Sequence, residues 1–245
     1  MICYTDKTKI IGKMEALDEA TISKINTIDN NNWNNWTMIN NELYYYKLFN
    51  FNELIGEYLC KYLGLDSVHN ELSIESRTLY LVTKSFIENN CKYRFSKFES
   101  FESFLKNSIN EGNKNKLIID HMKLFAIDIY MRQIDRKHYS NMTYKINKNG
   151  YISLAPVYDF SNAFGIFNYY TNVYFDIAFD KYEFNNLFKE YPHLFYKLEK
   201  LYKLDFYNII SSILLDYRLE MTDEKWMYYE KQSEKSNKIL KKILY

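Results

Sequence analysis

Between Ile118 and Asp159 the hydrophobic period changes twice, and that change constrains the fold more than any other feature of the chain. Ile118, Met122, Phe125 and Ile129 recur at helical spacing and predict a buried helix. A polar run follows, Ile134-Asp135-Arg136-Lys137-His138-Tyr139-Ser140-Asn141. Tyr144-Lys145-Ile146 and Tyr151-Ile152-Ser153-Leu154 then flank Asn147-Lys148-Asn149-Gly150, and Asn-Gly is a strong hairpin turn signal. A helix that feeds a polar loop and then a tight hairpin predicts an α+β fold. The hairpin would put Asn141 before one strand and Asp159 after the other, bringing both to the same end.

Those residues have a common chemistry. Asn141 lies six residues after Asp135, and Asp159 lies eighteen beyond Asn141. Phosphoryl transfer needs one carboxylate to orient the attacking hydroxyl, and an Asn amide with a second Asp to hold Mg²⁺ against nucleotide phosphates. Oxygen ligands suit Mg²⁺, which takes one or two carboxylates and completes its shell with water and phosphate.

The stretch Asp135-Arg136-Lys137-His138-Tyr139-Ser140-Asn141, followed by Leu154-Ala155-Pro156-Val157-Tyr158-Asp159, resembles the catalytic core of HipA-like serine/threonine kinases. These are bacterial enzymes, some of them toxins of toxin–antitoxin pairs. The resemblance implies a compact bilobal protein-kinase-like fold that uses ATP and Mg²⁺ and phosphorylates a protein substrate, with an antitoxin or other regulatory partner. It also implies that Asp135 is catalytic, that Asn141 and Asp159 bind metal, and that His138 fixes the loop. The family loop usually reads Asp-x-His-x-x-Asn, so Lys137 is one residue more than the pattern holds. The generic kinase loop places its Asn five residues after the Asp.

Upstream, Leu43 to Phe49 reads as a strand carrying Lys47. Asn52-Glu53 opens a helical segment through Leu54, Tyr58 and Tyr62 that stops at Gly64. A Lys on a strand followed by a Glu on a helix resembles the phosphate-binding Lys and its ion-pair partner in kinases. Glu57, one turn on, is the rival for the pair. Leu79 to Phe86 resembles the strand entering the hinge, and these landmarks run over residues 43–165. The resemblance places nucleotide contacts at Thr21, Ser23 and Lys24 as well, in a phosphate-covering loop that here has no glycine. Phosphorylation at Thr21 or Ser23 would silence the site by charge repulsion. The expected division is a strand-rich N-lobe over 1–87 and a mostly helical C-lobe over 88–245. The chain begins close to the kinase core, where HipA-type toxins carry a further subdomain. At the other end, Phe206, Ile209, Ile213 and Tyr217 form a helical stripe.

Composition narrows the partners. Lys plus Arg number 32 against 31 Asp plus Glu, giving a net charge of +1 and no global pull toward nucleic acid. No apolar run reaches membrane-spanning length, and the first residues lack the apolar core of a signal peptide. Cys3, Cys60 and Cys91 have no metal spacing. A cytoplasmic protein with no membrane contact and no direct nucleic-acid binding is the expectation. Taken singly, the site residues have ordinary readings: Lys47 as a snorkelling surface lysine, Glu53 as a charge favoured in a first helical turn, Asp135 and Asn141 as turn formers. Two other functions remain open, a non-catalytic pseudokinase and a lipid or small-molecule kinase.

Overall fold

A computed structural model describes residues 1–26, 33–88, 90–95, 111–133, 143–165 and 188–245. Two short turns organise the first sheet. Strands β2 (Trp36–Ile39) and β3 (Glu42–Leu48) are joined through Asn40 and Asn41, both left-handed at φ 52° and 64°. Strands β4 (Asn70–Glu75) and β5 (Thr78–Lys84) are joined through Ser76 and Arg77, at φ 48° and 67°. Two successive positive φ values give a turn whose twist matches the strands it connects. The order β2-β3-β5-β4 places β3 and its Lys47 at an interior position, with Lys47 opposite Leu81 of β5. Along β3, Tyr44 and Tyr46 pack with Met14, Ile39 and Val82 on one face. Alternation turns Lys47 to the other.

Helix α1 (Glu19–Asn26) precedes this sheet, and α2 (Phe51–Leu63) follows β3 directly. The Asn50 side chain accepts from the Asn52 N–H and caps the start of α2. Gly64, at φ 67°, ends it with its N–H on the last carbonyls. The expected stop is therefore present. The buried side of α2, however, runs through Leu54, Ile55, Leu59 and Leu63, while Tyr62 is exposed.

The second half is built on α3 (Glu111–Met131). Leu117, Leu124, Ala126, Ile127, Tyr130 and Met131 are all buried. The expected single stripe is too narrow for this helix, and Phe125, placed on it, is exposed. The reason is that α3 is covered from several directions, by α2, by the hairpin that follows it, and by α4 (Pro192–Tyr202) and α6 (Asp223–Leu244). The hairpin is as predicted: β7 (Thr143–Ile146) pairs with β8 (Ile152–Leu154), and Gly150 turns at φ 78°. Strand β6 (Lys92–Phe95) adds to the other edge of β7. Helix α5 (Phe206–Tyr217) buries Phe206, Ile209, Ile213 and Tyr217 as the stripe requires. One pairing has no signal in the periodicity: β1 (Ile2–Tyr4) runs antiparallel to β9 (Leu219–Met221), so the first residues are stitched to the C-terminal half. The architecture is α+β, bilobal and kinase-like. Among the described residues no helix is long and apolar enough to cross a membrane.

Candidate active site

Three predicted residues meet where β3, α2 and the segment after β8 converge. Lys47 forms an ion pair with Glu53, and its Nζ lies 3.6 Å from Asp159 Oδ1. Glu53 is 1% exposed, so it is the partner, and its other carboxylate oxygen accepts the Phe160 N–H at 2.9 Å. Glu57 is engaged elsewhere, taking His69 Nδ1 at 2.6 Å and the Asn70 N–H at 2.9 Å. Burial pulls the Lys47 ammonium down, but the Glu53 and Asp159 carboxylates outweigh it and hold the group protonated above its ordinary range. Burial pushes the Glu53 carboxyl up, against the pull of Lys47. The ammonium in contact with it and the N–H aimed at it both favour the ionised form.

Asp159 is held by its backbone as much as by its side chain. Its φ is 62°, a left-handed conformation that Asp tolerates better than most residues. Its carbonyl accepts from Gln133 Nε2 at 2.7 Å, and its Oδ1 from Ser161 Oγ at 2.8 Å. A parallel bridge between Ser67 and Val157 joins this segment to the chain leaving α2. Val68 N–H donates to the Val157 carbonyl at 2.9 Å and Val157 N–H to the Asp66 carbonyl at 3.0 Å. At the front of α2, Asn50 Nδ2 reaches the Ser161 carbonyl at 3.0 Å and Asn52 Nδ2 the Ala163 carbonyl at 3.1 Å.

Gly56 explains how helix and loop come so close. A Cβ at that position would stand 2.2 Å from the Phe160 ring. A glycine inside a helix normally costs stability relative to alanine. Here its missing side chain is the space that Phe160, itself buried, occupies. Gly56, Gln133 and Asn50 are thus site-building residues that the sequence reading did not single out. An interior helical glycine is a visible flag for close approach, and Asn50 is a recognisable cap. Gln133 carries no such signal; its Oε1 is buried without a hydrogen-bond partner among the described residues.

Asp135, Arg136, Lys137, His138 and Asn141 lie outside the described residues. Thr21, Ser23 and Lys24 fall in α1, not in a loop. The physical reason is local: Asp18 Oδ1 accepts the Thr21 N–H at 2.7 Å as a helix cap does, and Ile25 is buried one turn on. The Asp159 carboxylate is partly open, and its hard oxygen donors suit Mg²⁺. Among the described residues no group of three or more His, Cys, Asp or Glu side chains is arranged to hold a metal.

No family model matches the sequence, and no curated protein matches it. Solved structures do match. The Helicobacter pylori proinflammatory kinase CtkA superposes with a TM-score of 0.52 at 16% identity, over 85% of this chain and 88% of that one. HipA of the Shewanella oneidensis MR-1 toxin–antitoxin system, solved with HipB and operator DNA, superposes with a TM-score of 0.57 at 13% identity. That match covers 82% of this chain and 58% of HipA. The chain has a HipA-like kinase fold. In this fold Lys47 lies on β3, Glu53 in the first turn of α2, and Asp159 in the segment after the β7–β8 hairpin.

Proposed function

We propose that the chain is an ATP- and Mg²⁺-dependent kinase that transfers a phosphoryl group to a serine or threonine hydroxyl of a protein. The observation that carries this reading is the Lys47–Glu53 pair with Asp159 Oδ1 3.6 Å from the same ammonium. Glu53 restrains Lys47 so that its charge faces the phosphates of the nucleotide. The Asp159 carboxylate, with the Asn141 amide, would hold Mg²⁺, which supplies charge neutralisation at the phosphates. Asp135 would orient the hydroxyl of the acceptor. Little covalent work falls to the protein in such a reaction, so positioning and electrostatics account for most of the rate. HipA was solved with HipB, and a regulatory protein partner is part of the same proposal.

Purified protein with Mg²⁺ and γ-labelled ATP should incorporate label into itself or an added acceptor. Asp135→Ala and Asp159→Ala should abolish incorporation. Equal background from all three proteins would sink the catalytic reading. One observation favours a second reading, a nucleotide-binding pseudokinase: Thr21 to Lys24 is helical where a phosphate-covering loop was expected. Binding at a hundred times the Kd adds about 2.7 kcal/mol to stability. A thermal shift of that size without turnover on a broad acceptor panel would select the pseudokinase.

A further inference from the structure

We propose that Tyr229 is a positioning residue, through which the C-terminal helix α6 holds the Lys47–Glu53–Asp159 cluster in place by way of Asn52. This deepens the kinase reading and rests on it for its catalytic consequence. Tyr229 is 2% exposed and far from Lys47 in sequence, yet its hydroxyl donates to Asn52 Oδ1 at 3.0 Å. Asn52, equally buried, uses its amide hydrogens on the carbonyls of Ser161 and Ala163, at 3.4 and 3.1 Å.

The orientation of that carboxamide is fixed by its partners. Two carbonyls on one side require the NH₂, which leaves Oδ1 facing the phenol. Burial raises the Tyr229 phenol far above its ordinary range, so it remains a neutral donor wherever the protein is folded. The rings of Phe51 and Phe164 pack against it at 5.4 and 6.1 Å between centroids and keep it from swinging away.

The chain of contacts reaches the cluster by two short routes. Asn52 adjoins Glu53 in the first turn of α2. The carbonyls it holds lie just past Asp159 and Phe160, whose N–H is bound to Glu53. Removing the phenolic hydroxyl leaves the Asn52 Oδ1 buried without its donor. The Ser161–Ala163 segment then loses one of the restraints, beside those from Asn50 and Gln133, that set Asp159 against Lys47.

The test uses the full chain without nucleotide and reads acylation of Lys47 by a small amine-reactive ester, quantified by mass spectrometry. An ammonium clasped between Glu53 and Asp159 is shielded from the reagent, and release from that clasp opens it to attack. Tyr229→Phe and Asn52→Ala should each raise Lys47 labelling several-fold. The double variant should match the larger single effect, because both act on one path. Tyr207→Phe, which alters an exposed phenol on α5, should leave Lys47 as it is. Unchanged labelling in both single variants overturns the proposal. So do additive effects in the double variant, and so does a parallel rise at Lys123, which is paired with Asp120 on α3 and would report general loosening. Where wild type turns over ATP, Tyr229→Phe should lower kcat/KM about tenfold with Tm barely moved; loss in strict proportion to unfolded protein counts against it. A wild type without turnover refutes the kinase reading, while Lys47 labelling still decides whether Tyr229 positions the cluster.

Discussion

Glu53 and Glu57 stand one turn apart on the same helix, and their surroundings share almost nothing. Glu53 is sealed between a strand lysine and the backbone of the Asp159–Phe160 segment, with 1% of its side chain exposed. Glu57 keeps 15% open and braces the start of β4 through His69 and Asn70. Identical chemistry on one helix has been divided into a carboxylate that joins β3 to the segment after the β7–β8 hairpin and a carboxylate that tethers the start of β4. What separates them is the partner across the gap. Lys47 and the left-handed Asp159 converge on the first turn of α2, whereas the second meets His69 and Asn70 from the start of β4.

The largest effect expected from this contrast is on phosphoryl transfer. Glu53→Gln should lower turnover by about a hundredfold or more, the scale seen when one preorganised charge-stabilising group is removed from a reaction site. Glu57→Gln, measured in the same labelled-ATP assay, should stay within about threefold of wild type. Equal losses would show that the two glutamates are not functionally distinct. In denaturant titrations Glu53→Gln should cost less than the roughly 3–5 kcal/mol of breaking a fully buried pair, because Lys47 retains exposure and Asp159 remains beside it.

Two glycines, one inside α2 and one that ends it, sharpen the same comparison. Gly56→Ala places a methyl inside the Phe160 ring position and should destabilise by about 1–3 kcal/mol, the usual range for overpacking. Gly64→Ala meets no atom within 4 Å, and its cost comes only from φ +67°, about 1–2 kcal/mol. The stability losses overlap, and the discriminating measurement is ATP-dependent thermal stabilisation. It should vanish in Gly56→Ala, where Phe160 must move and Glu53 loses its backbone donor. It should persist in Gly64→Ala. Retention in both would show that Phe160 relaxes without disturbing the ion pair.

How far the site was legible follows from which forces act locally. The hairpin, the stop at Gly64 and the stripe on α5 were readable because turn chemistry and periodicity are short-range. Lys47, Glu53 and Asp159 were nameable as candidates because their order along the chain resembles that of kinase landmarks. The choice of Glu53 over Glu57 was not settled by pattern, since both lie on α2 and only tertiary contact separates them. Gly56, Gln133 and Tyr229 escaped for the same reason: each matters through an atom distant in sequence. The helix over Thr21 and Ser23 was missed although Asp18 is a local cap, because the expectation of a phosphate-covering loop overrode it. Phe125 was misplaced because a helix covered on several sides no longer has a single apolar stripe.

The smallest effects concern two histidines whose pH dependences run in opposite directions. Burial lowers the His121 pKa below its ordinary value; Nδ1–H donates to the Leu117 carbonyl at 2.8 Å and Nε2 accepts from the Tyr144 hydroxyl at 2.7 Å. A base whose pKa is depressed on folding contributes stability that is present above its unfolded value of about 6.5 and lost as pH falls below it. His69 is the reverse case. Its hydrogen bond to Glu57 raises its pKa, so its contribution is complete below about pH 6.5 and is lost as pH rises through the higher folded value. With 67% of its side chain exposed, solvent screens most of that interaction. The urea midpoint of wild type should therefore fall slightly from pH 6 to pH 8 relative to Glu57→Gln, in which the His69 term is gone. Below pH 6 the His121 effect should lower both proteins together. A Glu57→Gln profile parallel to wild type across pH 6 to 8 would mean that Glu57 braces β4 through Asn70 alone.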